Sequence, residues 1–80
     1  MEHYLDSYIE EMKPNAVINI RGNYTKVYGK FGMATIWKEA SAFNVYFFDE
    51  NQDKSDEMFR TRLKKQALVW ALEWATKGSI

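Results

Sequence analysis

The chain has 80 residues, with 11 Lys and Arg against 11 Asp and Glu, so its formal net charge is zero. Balanced charge excludes a uniformly basic nucleic-acid-binding domain and an acidic mimic of DNA. Hydrophobic residues at 46% exclude a disordered chain, charged residues at 28% argue against a membrane protein, and the lack of cysteine excludes disulfides and cysteine-based zinc sites. We therefore expect a single domain over residues 1–80, located in the cytoplasm and without a cofactor.

The first predicted element is a short amphipathic helix over residues 4–12. Its apolar residues recur at helical spacing, and acidic residues occupy the positions between them. Pro14 disfavours helical geometry at the preceding residue, so we expect the helix to end near Met12. The only histidine, His3, lies beside the chain terminus, and we expect no catalytic role for it.

Residues 16–49 change to the alternating pattern of β-strands, in four runs separated by turn residues. Gly22-Asn23 between the first two runs is a hairpin signal, and the resulting register pairs Arg21 with Tyr24. One side of this hairpin is then apolar and the other is rich in tyrosine and basic residues. The alternative is one long strand with a bulge at Gly22, so the pattern predicts a sheet of three or four antiparallel strands.

A long C-terminal helix is predicted over residues 56–77, after an acidic loop over residues 49–57. Ser55 or Asp53 is expected to cap its start, and Gly78 is expected to end it. Together the elements predict an α+β fold, in which the long helix packs on one side of the sheet and the short helix lies beside it.

The predicted C-terminal helix carries more apolar surface than packing on one sheet requires. The stripe expected to face the sheet consists of Phe59, Leu63, Ala67, Trp70, Ala71 and Trp74. Because residues 67–72 are apolar all round, the opposite side also needs a cover. The sequence leaves two covers open: the N-terminal helix, or a second copy of the chain in contact at Leu68 and Leu72. A membrane surface is disfavoured because the basic residues precede the apolar segment.

The acidic loop imitates the start of a calcium-binding loop, with oxygen-bearing side chains at alternate positions from Asp49. However, Lys54 stands where such a loop requires glycine, and Arg60 stands where it requires a bidentate glutamate. Turn and cap chemistry explains the same residues, so we expect no metal and no catalytic residues. A carboxylate–metal hydrolase around Asp49 and Asp53 is the third hypothesis for function, and a chelator would have to abolish its activity.

The side of the sheet that faces away from the long helix is the most informative predicted surface. We expect it to carry Asn19, Arg21, Tyr24, Lys26, Tyr28, Thr35, Trp37, Asn44, Tyr46 and Phe48. Aromatic rings beside Arg or Lys suit base stacking and phosphate contact, and they also suit protein interfaces. A third interpretation is that these rings cover one another or close a dimer. The residues predicted to bind a partner are Arg21, Tyr24, Lys26, Tyr28, Trp37 and Tyr46.

Charge along the chain falls into four blocks of alternating sign. The blocks are −4 over residues 1–11, +4 over residues 12–48, −4 over residues 49–57 and +4 over residues 58–80. The two basic blocks coincide with the sheet and the long helix, so a locally basic surface is compatible with a neutral chain. Lys30, Arg60 and Lys64 are further candidates for nucleic-acid contacts.

The order of helix, antiparallel strands and helix resembles that of double-stranded-RNA-binding domains. The resemblance is limited to topology, because the predicted last helix does not begin with the lysine-rich motif of that family. Its basic residues, such as Arg60 and Lys64, follow Met58-Phe59 inside the helix, so no RNA-binding residue is carried over. A cysteine-free, aromatic-rich domain of this size is also similar to small phage-encoded proteins that bind and block a host or defence component.

These observations predict a non-enzymatic protein that masks or inhibits a macromolecular partner. The partner is expected to be a protein or a protein–nucleic acid complex rather than a membrane, and we expect the protein to form a homo-oligomer, most simply a dimer. The alternative is a module that binds RNA or single-stranded nucleic acid. Salt separates the two hypotheses, because affinity for nucleic acid falls steeply as salt is raised.

Overall fold

A computed structural model describes residues 2–78 of the chain and the side chains of residues 5–78, so the side chain of His3 lies outside the described part. The elements are α1 (Glu2–Met12), a 3-10 turn (Lys13–Asn15), β1 (Ala16–Arg21), β2 (Tyr24–Gly29), β3 (Gly32–Glu39), β4 (Ala42–Asp49), β5 (Lys54–Thr61) and α2 (Lys64–Lys77). The strands form one antiparallel sheet in the order β1-β2-β3-β4-β5, and α2 packs on one side of it. The α+β class is confirmed, but the sheet has five strands rather than three or four. Among the described residues, neither helix is both long enough and apolar enough to span a bilayer.

The first two strands form the predicted hairpin. Arg21 pairs with Tyr24, and the remaining pairs follow in the predicted register to Val17 opposite Tyr28. Gly22 has a φ of 41°, a left-handed conformation that glycine adopts without steric cost and that turns the chain between the strands. The alternative of one long bulged strand is therefore wrong.

The predicted start of the C-terminal helix is also wrong, because residues 54–61 form β5 and the helix begins at Lys64. Neither predicted cap residue caps it: Leu63 holds the cap position without a side-chain hydrogen bond, and the Ser55 hydroxyl accepts a hydrogen bond from the Glu57 amide within β5. As a strand, this segment pairs with β4 and supplies backbone partners along what would otherwise be a sheet edge. The predicted end is confirmed, since Gly78 caps the helix with a φ of 72°.

The position of Phe59 explains why the sequence of β5 fits the pattern of a helix. Its ring was expected to face the core from a helix, and it also reaches the core from the observed strand. There it packs edge-on against Phe47 and Trp70, with ring centroids 5.3 Å and 5.0 Å away. One apolar residue at the correct distance from Trp70 thus satisfies the helical spacing without a helix. The sheet contributes Phe59 to the core, whereas the prediction assigned it to the helix.

The N-terminal helix ends at Met12, as the following proline predicts, and packs against α2. The Tyr8 hydroxyl donates a hydrogen bond to Glu73 Oε2 at 2.8 Å, and Lys77 Nζ donates one to the Tyr8 hydroxyl at 2.8 Å. This second hydrogen bond raises the pKa of Lys77 above its ordinary 10.5. A raised pKa means that the ammonium supports the helix pair at neutral pH and loses this role only as pH rises through the raised value.

The second apolar side of α2 is covered within one chain. Ile9 and Met12 of α1 belong to the same buried cluster as Val69 and Leu72 of α2. Leu72 is 0% exposed, so it cannot serve as a contact to a second copy, and that part of the predicted dimer surface is wrong. Leu68 is half-buried and packs against the edge of the cluster.

Candidate binding surface on the open side of the sheet

The open face, defined here as the side of the sheet away from α2, presents its side chains in three cross-strand rows. The first row is Arg21, Tyr24, Trp37, Asn44 and Arg60; the second is Asn19, Lys26, Thr35, Tyr46 and Met58; the third is Val17, Tyr28, Met33, Phe48 and Lys54. All ten residues predicted for this side are in these rows. The reason is local: side chains alternate along a strand, and the hairpin at Gly22 sets the register from which the others follow.

Aromatic rings occupy the middle of the open face, on β2, β3 and β4. Tyr24 and Trp37 lie opposite each other with ring centroids 4.8 Å apart and planes inclined at 33°. The rings therefore cover one another in part, as one of the interpretations above predicts. They are not fully covered, since Trp37 remains 42% exposed within the chain.

Basic side chains surround these rings. Arg21 lies on the β1 edge, Lys54 and Arg60 lie on the β5 edge, and Lys26 lies on β2. Lys26 Nζ is 5.7 Å from the centre of the Tyr24 ring, and Lys54 Nζ is 4.9 Å from that of a tyrosine on β4. Contacts of this kind hold a cation over a ring face and contribute about 0.5–1 kcal/mol each when exposed.

Carboxylates are concentrated toward the β5 margin. Glu39 Oε1 lies 3.7 Å from Arg60 Nη1, and both side chains are more than half exposed, so this ion pair is weak. Asp56 and Glu57 fall where the pairing of β4 and β5 is interrupted, and they line a depression beside Tyr46. The β1–β2 part of the open face is consequently its most basic part.

A shallow depression of about 320 Å³ lies among the rings. It is lined by Trp37, Lys38, Glu39, Tyr46, Phe48 and Lys54. Its volume is at the lower end of the roughly 300–1,000 Å³ that small-ligand pockets span. The depression can accept one flat ring or one side chain of a partner, with aromatic walls and a lysine at its margin.

Asn44 is a buried polar member of the first row, and it is only 2% exposed. Its Nδ2 donates to Glu39 Oε2 at 3.4 Å, whereas its Oδ1 accepts no hydrogen bond from the residues that the structure describes. A buried polar group without a partner costs about 1–3 kcal/mol. This part of the open face therefore contains a buried acceptor that its own neighbours leave unsatisfied.

The added candidates for nucleic-acid contact are separated by the fold. Arg60 faces the open side from β5, and Lys30 lies in the turn between β2 and β3. Lys64 begins α2 and lines a groove with Ile18 and Leu68 on the opposite side of the sheet, so it does not join the other two.

Sequence reasoning missed the contribution of β5 to the open face. Lys54, Met58 and Arg60 are all placed on this face by strand pairing, whereas the prediction assigned them to a loop and a helix. The available signal was that these three residues are separated by even numbers of positions, as residues on one side of a strand are. It was weak because the intervening segment is rich in charged residues, which strands usually lack.

The acidic turn after β4 behaves as turn chemistry predicts. Asp49 Oδ1 accepts hydrogen bonds from the backbone amides of Asn51 and Asp53, both at 2.9 Å. Among residues 5–78, no three His, Cys, Asp or Glu side chains are grouped so that they could hold a metal ion. Comparison with known proteins adds no assignment, because no family model, no curated protein and no solved structure matches this chain.

Proposed function

We propose that the protein is a non-enzymatic binding protein that masks a macromolecular partner by covering it with the open face. One observation carries this proposal: the three rows bring five aromatic and four basic side chains to one solvent-facing surface. Tyr, Trp and Arg contribute most of the binding free energy at many interfaces. The residues assigned to partner binding are Arg21, Tyr24, Lys26, Tyr28, Trp37 and Tyr46.

A matched pair of variants tests the proposal. Trp37 on the open face and Leu63 before α2 have similar exposed fractions, 42% and 40%, but only Trp37 belongs to the rows. With each protein immobilised in a lysate, we expect Leu63→Ala to retain the captured partner and Trp37→Ala to reduce its recovery about tenfold or more, as for a hot-spot residue. Circular dichroism of both variants checks that the fold is intact. Equal recovery with the two variants would exclude the open face as the binding surface.

We also propose that a second copy of the chain adds to the β1 edge. Val17 and Ile20 on this strand are 60% and 71% exposed, the largest fractions among the exposed large apolar side chains of residues 5–78. The strand carries one charge, Arg21 at its end, whereas the β5 edge is protected by charged residues and an irregular pairing. An apolar edge without such protection favours pairing with another strand.

Antiparallel pairing of two β1 strands about a two-fold axis can place Ile18 of one copy opposite Ile20 of the other. Both residues line a groove of about 160 Å³ on the helix side, and Leu68 lines the same groove. The proposed dimer contact therefore still includes Leu68, which the sequence predicted, but Ile18 and Ile20 of β1 take the place of the buried Leu72.

The dimer predicts a specific response to charge at β1. Size-exclusion chromatography with light scattering should give a dimer for the natural chain and a monomer for Ile20→Lys, because each introduced lysine would lie opposite Ile18 of the other copy, in an apolar contact. Leu63→Lys adds the same charge away from β1 and should remain dimeric. A natural chain that is monomeric at every concentration tested, or an Ile20→Lys variant that stays dimeric, would contradict the proposal.

A further inference from the structure

The β1–β2 part of the open face is positively charged, and the segment that forms it contains no carboxylate. No Asp or Glu occurs between Met12 and Lys38, a segment that spans β1, β2 and most of β3. Within it, Arg21 and Lys26 face the open side in neighbouring rows. This part of the surface is therefore complementary to a polyanion.

The aromatic rings continue from this basic part toward the centre of the sheet. Tyr24 lies directly opposite Trp37, and Tyr46 lies one row further on β4, opposite a small threonine. The depression of about 320 Å³ between Trp37 and Tyr46 has room for one flat ring, and Lys54 lies at its margin. An aromatic side chain can stack with any base, because every base has a π-face.

The composition of the face favours a nucleic acid over a protein as the polyanion. Lysine is depleted at protein–protein interfaces, yet Lys26 and Lys54 both lie over rings of this face. Partly exposed rings on a sheet can stack only with bases that are themselves unstacked, which a single strand provides and a duplex withholds. We propose that the partner is a single-stranded nucleic acid, with bases stacked on Tyr24, Trp37 and Tyr46 and phosphates at Arg21 and Lys26. This inference rests on the proposed function, because it names the occupant of the same surface.

The test uses labelled oligo(U) and oligo(dT) of about 12 nucleotides, within the roughly 4–16 nucleotides that single-strand-binding domains cover. A duplex of the same length serves as a second probe. By fluorescence anisotropy, we expect the natural chain to bind the single strands more tightly than the duplex. The affinity should fall as salt is raised, because phosphate contacts release counterions.

Two charge-reversal variants distinguish binding at the open face from non-specific electrostatic attraction of the nucleic acid to the whole protein. Lys26→Glu and Lys64→Glu change the net charge equally, but Lys26 is on the open face and Lys64 is on the helix side. We expect Lys26→Glu to weaken binding about tenfold with a shallower salt dependence, and Lys64→Glu to stay close to the natural chain. Arg21→Glu repeats the charge reversal at an exposed position. Trp37→Ala should lower the affinity for the single strands about tenfold, because it removes a ring on which a base stacks.

Three results would overturn the inference: no binding of either single strand at low salt, equal weakening by Lys26→Glu and Lys64→Glu, or binding of the duplex at least as tight as that of the single strands. The lysate capture, repeated after nuclease treatment, separates this inference from the proposed function. A protein that is still captured after nuclease, and is lost with Trp37→Ala, leaves the proposed function standing while the nucleic-acid inference fails. Capture that is insensitive to Trp37→Ala shows that the proposed function itself fails.

Discussion

Replacing Phe47 with alanine is expected to lower the free energy of unfolding by about 3–5 kcal/mol, a large part of the roughly 5–15 kcal/mol that stabilises a typical domain. Phe47 on β4 is only 1% exposed. Its ring centroid lies 5.3 Å from that of Phe59 and 5.5 Å from that of Trp74, so it joins β4, β5 and α2. Urea denaturation followed by circular dichroism measures the loss.

The neighbouring residue provides the control. Phe48 follows Phe47 on the same strand, but its side chain faces the open side and is only half-buried. Phe48→Ala removes the same ring, and we expect a loss of about 1 kcal/mol, because a smaller apolar area leaves the protein interior. Equal losses of unfolding free energy from the two variants would contradict the description of Phe47 as buried under α2 and Phe48 as partly exposed on the open side.

Replacing Gly29 with alanine is expected to lower the free energy of unfolding by about 3 kcal/mol. A Cβ atom at Gly29 would overlap the carbonyl oxygen of Ala75 and would lie 2.5 Å from its carbonyl carbon. These are backbone atoms of α2, so no side-chain rotation relieves the overlap, and the helix has to move away from the sheet. The same carbonyl accepts a hydrogen bond from the Phe31 amide at 3.1 Å, which the movement would weaken.

Gly22→Ala separates this close approach from the general cost of replacing glycine. No atom lies within 4 Å of a Cβ at Gly22, and the substitution meets only the cost of a positive φ, about 1 kcal/mol. Urea denaturation should therefore rank Gly29→Ala well below Gly22→Ala in stability. The reverse order would mean that α2 does not contact the β2–β3 turn as closely as described.

Local signals were sufficient to predict much of the sheet and of its open face. The Gly22-Asn23 turn set the first register, and the alternation of side chains then placed Tyr24, Trp37 and Tyr46 on one side. The same kind of signal placed the ends of the helices at Met12 and at Gly78. These features depend on interactions between residues close in sequence, or on a period that any half-buried strand must keep.

The fifth strand could not be predicted in this way. Its segment is charged, and Phe59 fits a helical stripe that includes Trp70. What decides its conformation is pairing with β4, together with contacts from Phe59 to Phe47 and Trp70. Such pairing is a tertiary interaction, and it outweighs a weak local preference.

By itself, the sequence determined the neutral total, the four charge blocks and the two sides of the first hairpin. Only the tertiary structure decided which charges share a surface: it brings Arg60 to the open face beside the rings and leaves Lys64 on the helix side. It also decided that Leu72 lies inside one chain rather than between two. The physical reason is that local patterns determine how a segment alternates, whereas the packing of distant segments determines what each face meets.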